Sequence, residues 1–228
     1  VLKMVNSAFY GFPHEIEDIP QAIVIIGLQQ LNDLVLTHSI INLFNNKKTA
    51  PFSLEDFWKF SLASGLEAKI LASYSNCHFS ERVFVCGLLH SIGKLLMATA
   101  EPEKYSDCYE ESLQKNILIT DAENTFFGYS HIDVNKALMT SWNIPHAITD
   151  VVSHYDNPEQ AEHQQESSLV LLSHTIIQTI GLGNCGDYFI SKVKDQQLLD
   201  LELSTAKIEE SLIPLHNQFH DIANSFLG

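Results

Sequence analysis

Ser80-Glu-Arg-Val-Phe-Val-Cys-Gly-Leu-Leu-His-Ser-Ile-Gly-Lys94 is the stretch on which the reading of this chain turns. Val83, Cys86 and His90 recur at three- and four-residue spacing, so they share one face of a helix that Ser80 opens. Gly93 is placed to end or bend that helix. The same stretch raises a question of chemistry. A histidine followed directly by a carboxylate offers a divalent metal one nitrogen and one oxygen ligand, and the metal can then activate a water. Ser91 follows His90 here and offers only a neutral hydroxyl, a poor ligand at neutral pH.

Working outward, the dominant period stays helical. Val1, Leu2 and Val5 read as the end of a helix, broken at Gly11-Phe12-Pro13. Asp18 caps a short helix with Pro20 in its first turn, where the missing N–H costs little. Gly27 interrupts it, and an amphipathic stretch from Leu28 to Phe44 points Leu31, Leu34 and Leu36 at a core. Asn45 to Pro51 is a polar loop. Ser53 and Asp56 form a capping start, and Trp58, Leu62, Leu66 and Ile70 then share a face. Pro102 opens an acidic helix that ends near Asn116. Ser130 and Asp133 cap one with His131, Val134, Leu138 and Trp142 on one face. Pro145 opens a helix reaching His154, and Pro158 stops the chain. Gln160 to Ile180 reads as a long helix ended by Gly181-Leu182-Gly183, and the tail from Ser204 to Leu227 is amphipathic through Ile208, Leu212, Leu215 and Phe219. No β-alternation, internal repeat or phosphate-binding glycine loop is present. The fold is therefore expected to be all-α: one domain over 1–228, with 184–228 a C-terminal helical extension packed on it. Its abrupt opening inside an apolar pattern reads as a fragment that lacks its first helices.

The 228 residues carry 28 acids against 13 bases, a formal net charge of −15. That balance opposes electrostatic binding to nucleic acid or to anionic membranes. Cys77, Cys86, Cys108 and Cys185 are scattered without a Cys-x-x-Cys pair and read as reduced, packed thiols of a cytoplasmic protein. No signal peptide is apparent, and no apolar run reads as long enough to span a bilayer, the longest candidate being Ala22 to Gly27.

Eleven histidines are many for this length. His90, His131 and His154 take inward positions near helix ends, where ligands from several helices can converge. Each is equally a candidate core histidine bonded to a carbonyl or hydroxyl. His174 is ambiguous in the same way, and His146 beside Pro145 is expected to be exposed. Nucleophilic catalysis has little support. There is no Gly-x-Ser-x-Gly elbow, and Cys86, though four residues from His90, reads as a small apolar packing residue.

Seven segments in order resemble the HDOD domain, an output domain related to metal-dependent hydrolases. They are Val1-Leu-Lys-Met-Val-Asn-Ser-Ala-Phe-Tyr-Gly11, Ile19-Pro-Gln-Ala-Ile-Val-Ile-Ile-Gly-Leu28, Phe57-Trp-Lys-Phe-Ser61, Gly87-Leu-Leu-His-Ser-Ile-Gly-Lys94, Phe127-Gly-Tyr-Ser-His131, Trp142-Asn-Ile-Pro145 and His154-Tyr-Asp-Asn-Pro158. The likeness spans roughly residues 1–182, and the C-terminal helix resembles the family's usual ending. It implies an all-helical domain of the HD superfamily, found mainly in bacterial signalling proteins beside receiver, GGDEF or EAL modules. Active HD hydrolases take a first His, a His-Asp pair and a distal Asp as metal ligands. The matching positions here are Phe60, His90, Ser91 and Ile177, so three of the four ligands are gone. His131 matches a histidine the family tends to keep.

The resemblance and the missing ligands together point to a non-enzymatic signal-transduction or regulatory domain with a degenerate metal site. No catalytic residue, metal or cofactor is expected, and the partner is a signalling protein or attached domain rather than nucleic acid or membrane. Self-association into a homo-oligomer is expected of the isolated fragment if its first helix lies uncovered. Two alternatives stand beside this reading. One is a divergent phosphohydrolase binding metal through His90, His131 and His154. The other is a small-molecule sensor using the relic pocket.

Overall fold

A computed structural model of the chain describes residues 2–6, 16–44, 49–190 and 192–227. The expected break at Gly11-Phe12-Pro13, the start of the loop at Asn45 and the side chain of Leu34 lie outside what is described. The rest is helical, with no strand among the described residues. The helices are α1 (Leu2–Val5), α2 (Ile19–Ile26), α3 (Leu28–Phe44), α4 (Leu54–Tyr74), α5 (Ser80–Leu89), α6 (Ile92–Ala100), α7 (Pro102–Lys115), α8 (Ile119–Phe127), α9 (His131–Ser141), α10 (His146–His154), α11 (Gln164–Ile180), α12 (Asp195–Asp200) and α13 (Thr205–Leu227).

Local chemistry sets many of these ends. Asp18 accepts the Gln21 N–H, Ser53 accepts the Asp56 N–H, and Ser130 with Asp133 closes a reciprocal capping box. Asn116 and Gly181 end α7 and α11 in the left-handed conformation. Around them the fold is organised by α4, which packs on α5, α11 and α13. The face carrying Trp58, Leu62, Leu66 and Ile70 is buried, and so are Phe57, Ala63, Leu71 and Glu67 on other sides. A helix covered on nearly all sides is a core helix, not a surface one.

Several expectations are corrected. The apolar run over 80–100 is long enough to cross a membrane by length and composition, contrary to the sequence reading, but its most apolar window is 83% buried inside the domain. It is also two helices. The break falls at His90-Ser91, and Gly93 lies inside α6. Gly93 is there for close approach: a Cβ on it would sit 2.3 Å from the His131 carbonyl oxygen. The inward face of α9 is His131, Asn135 and Met139, whereas Val134, Leu138 and Trp142 are half-buried. The helix expected from Gln160 starts at Gln164, because Pro158–Gln160 forms a 3₁₀ turn and Ala161 is extended. The short helices α8 and α12 were not legible, having too few turns to show a period.

Gly93→Ala is expected to destabilise the fold by about 3 kcal/mol, the cost of overpacking a filled contact. A solvent-exposed helical glycine would instead gain about 1 kcal/mol from the same change. Urea unfolding of the variant decides the sign.

Candidate functional site

The α5–α6 break brings backbone and side chains together at one point. Asn135 of α9 is wholly buried beneath it and donates to the His90 carbonyl at 2.5 Å, while its own oxygen accepts the Gly93 N–H at 2.7 Å. One amide thus satisfies two backbone groups that the interrupted helix leaves open. With its backbone fixed, the His90 ring lies fully buried. Its Nδ1 donates to the Gly87 carbonyl at 2.6 Å, and its Nε2 lies 2.8 Å from Nδ1 of His174 on α11. Since a carbonyl can only accept, Nδ1 of His90 carries the proton.

His174 continues the chain outward. Its Nε2 lies 3.2 Å from Asp187 Oδ2, and the same oxygen accepts from the Lys94 ammonium and, at 3.4 Å, from the Cys185 thiol. Asp187 sits on the loop after α11. That loop is laid directly on α4: Gly183 has φ of +82°, a Cβ on it would meet the Phe60 N at 2.4 Å, and the Asn184 N–H donates to the Asp56 carbonyl at 3.0 Å. Only a residue without a Cβ takes both that conformation and that contact.

A second arm meets the first at Tyr155. Its ring stands edge-on to His90 at 4.7 Å, and its hydroxyl is 2.9 Å from His131 Nε2. His131 Nδ1 donates to Glu123 Oε2 at 2.6 Å, which also accepts the His131 N–H, and Glu123 Oε1 accepts from Tyr105 at 2.8 Å. Lys94, His131, Tyr155, His174 and Asp187 line a cavity of about 100 Å³, with Leu118 among its apolar walls.

The electrostatics follow from burial and pairing. Burial opposes the charge of Lys94, yet the Asp187 carboxylate outweighs it, so Lys94 stays an ammonium. Burial likewise pushes Asp187 up, but Lys94 and then His174 hold it well below the usual carboxylate range. His90 is held well below the usual imidazole range by burial and by His174 beside it, and His174 is lowered chiefly by burial. Burial keeps Cys185 a thiol.

The sequence-level site positions fall in different places. Phe60 packs on the pair, its ring 5.1 Å from His174 and 6.1 Å from His90. Ser91 is wholly buried, and its hydroxyl has no partner among the described residues. Ile177 is buried one turn beyond His174. His131 is buried and joined to His90 through Tyr155. His154 belongs elsewhere: its Nδ1 contacts the Asp150 carbonyl at 2.9 Å, and Asp150 also holds His163. The proposed metal trio of His90, His131 and His154 is therefore not assembled, and both ring nitrogens of the first two are already bonded. His146 is 71% exposed, as expected. Lys94, Glu123, Tyr155 and Asp187 were not singled out from the sequence. Only the His-x-x-x-Lys spacing on one face could have pointed to Lys94.

The metal that HD enzymes carry can be tested against this donor set. Ligand atoms of His174, Cys185 and Asp187 lie within 4.8 Å of one another. However, an ammonium already occupies Asp187, the sulfur is protonated, and Phe60, Ser91 and Ile177 contribute no anionic or imidazole donor. The residues present do not fit a hydrolytic divalent metal.

The chain belongs to the HDOD domain family, whose model matches residues 1–158. That family is related to metal-dependent phosphohydrolases. Solved structures of similar fold include an HDOD domain protein of unknown function from Geobacter sulfurreducens, 22% identical, with TM-score 0.71, covering 99% of this chain and 79% of that one. A candidate phosphohydrolase from Shewanella amazonensis SB2B is 21% identical, with TM-score 0.74 and coverage of 99% and 80%. A candidate signal transduction protein from Marinobacter aquaeolei VT8 is 19% identical, with TM-score 0.72 and coverage of 99% and 52%. An uncharacterized protein of Treponema pallidum (strain Nichols) is 24% identical over 165 residues, 72% of this chain, and the chain spans about a third of that protein's length (32%).

Two measurements check the site. Lys94→Met leaves a buried carboxylate uncompensated and is expected to cost about 3–5 kcal/mol, most of it recovered in the Lys94→Met/Asp187→Leu double variant. Denaturant melts of the four-member cycle read this directly. The lowered His90 and His174 make the folded state bind fewer protons than the unfolded state below the ordinary imidazole value of 6.5. Their contribution is present above that pH and is lost as pH falls. A pH series of melts is expected to show the acid-side loss reduced in His174→Gln.

Proposed function

We propose that this chain is a non-enzymatic regulatory domain that works through protein contacts, its metal site replaced by an internal ion pair. The observation that carries the reading is Lys94: a wholly buried ammonium paired with Asp187 beside His90 and His174. A divalent cation there would have to displace a charge held by the fold itself. The hydrolytic step also lacks support, because a water without a metal keeps its high pKa and the developing phosphate charge has no clamp. The overall balance of 28 acids to 13 bases favours a protein partner over nucleic acid. A partner domain or signalling protein that reads the helical surface is the occupant this reading assigns.

A second reading, a sensor of a ligand of only a few heavy atoms, rests on the small cavity of about 100 Å³ against Lys94, Tyr155 and Asp187. Cavities between helices, with apolar walls and a few convergent polar groups, are common ligand sites.

The test joins metal content with turnover. Protein purified without chelators is expected to hold no stoichiometric transition metal by elemental analysis. It is also expected to release no product from nucleotide phosphodiesters or phosphomonoesters with added Mn²⁺ or Mg²⁺. One bound metal per chain, with turnover that disappears in His90→Ala, would overturn the proposal.

A further inference from the structure

A second buried ionisable group lies away from the histidine network, where α13 docks on α4. Glu67 is wholly buried in α4, and Ser211 is wholly buried in α13. The Ser211 hydroxyl oxygen lies 2.5 Å from Glu67 Oε1 and 2.7 Å from the Ile208 carbonyl oxygen. A hydroxyl has one proton to give. The Ile208 carbonyl and an ionised carboxylate can both only accept, so one serine proton cannot serve both contacts. The short contact to Glu67 then needs a proton of its own, and the carboxylic acid is the group that can supply it. The other carboxyl oxygen, Oε2, is buried with no partner among the described residues, as suits an uncharged acid and not a carboxylate.

Among the described residues, the charged side chains on the elements around this acid are engaged elsewhere or exposed. On α4, Lys59 pairs with Glu55, and Lys69 pairs with Glu81 of α5 at 3.0 Å. Arg82 of α5 is held by Glu166 of α11, and His174 of α11 is bonded to His90 and lies against Asp187. On α13, Lys207 donates to the Tyr74 and Glu202 carbonyls, while Glu209, Glu210, His216, His220 and Asp221 are exposed. Among the described residues the Ser211 hydroxyl is the only hydrogen-bond partner of Glu67.

We infer that α13 is latched to α4 by the protonated carboxylic acid of Glu67 acting through Ser211, so that its docking weakens when that acid ionises. Burial raises Glu67 from 4.5 to about 7. The docked state therefore keeps a proton that an undocked, solvated Glu67 gives up. Between those two values docking loses about tenfold in its equilibrium constant per pH unit, and above the higher one it levels off. Acid tightens the latch and neutral pH loosens it. The helix so controlled lies wholly beyond the matched family range of 1–158, and its release would uncover Leu215, Ile222 and Phe226 for another partner. This device is independent of what the histidine network does.

The experiment is hydrogen exchange of residues 205–227 in the whole chain, wild type against Glu67→Gln at matched pH from about 5 to 8. The amide is isosteric, donates to Ser211 and does not titrate. Matching the pH cancels the intrinsic exchange rate. The ratio of protection in wild type to that in the variant is expected to fall by up to about tenfold per unit toward neutrality. Equal pH dependence in both proteins overturns the latch. If the variant fails to fold, carboxyl carbon NMR of wild type with labelled glutamate decides the matter. A Glu67 midpoint near neutrality is expected, and one in the ordinary carboxylate range overturns the inference.

Discussion

A buried ammonium paired with a largely buried carboxylate is the constraint on which the centre of this domain rests. Lys94 and Asp187 stand on elements far apart in sequence, and neither charge would survive burial alone. Their pairing fixes the loop after α11 over α6. That in turn sets His174 against His90, with Phe60 packed on both rings. The pair does not have to be a net source of stability to have this effect. Its weight lies in the cost of separating it, which ties the loop position to the helix position.

Backbone geometry supplies the rest of the assembly. Helices α5 and α6 would form one apolar rod were it not for the break at His90-Ser91, and Asn135 satisfies the groups that the break leaves open. Gly93 and Gly183 let backbones approach where a Cβ would collide. The polar groups around His90 are thus held at close quarters and mostly partnered, although among the described residues the Ser91 hydroxyl is one of several buried side-chain atoms without a partner. Its chemistry is that of a charge network, which differs from an open metal centre in leaving no anionic ligand free.

Much of the helical plan was readable because capping residues and four-residue spacing are local. Asp18, Ser53, Ser130, Asn116 and Gly181 act within a turn of where they stand. The errors came where a local signal was outweighed by a distant contact. Gly93 reads as a helix end and is instead a packing glycine against His131. The inward face of α9 is shifted toward Asn135, a polar residue that sequence logic places outside until its two backbone partners are known. His154 reads as part of a histidine trio and is captured by Asp150.

Composition and periodicity by themselves determined that the chain is helical, and the family resemblance, not the residues alone, set the expectation that Phe60, Ser91 and Ile177 stand where active relatives carry metal ligands. Residue types are properties that no fold can alter. Only the tertiary structure decided which buried polar groups meet. Lys94 meets Asp187 across 93 positions, His90 meets His174 across 84, and Glu67 meets Ser211 across 144. Such pairings carry no local spacing. They arise because low dielectric and close packing force each buried polar group to find a partner, and the packing of whole helices decides which partner is within reach.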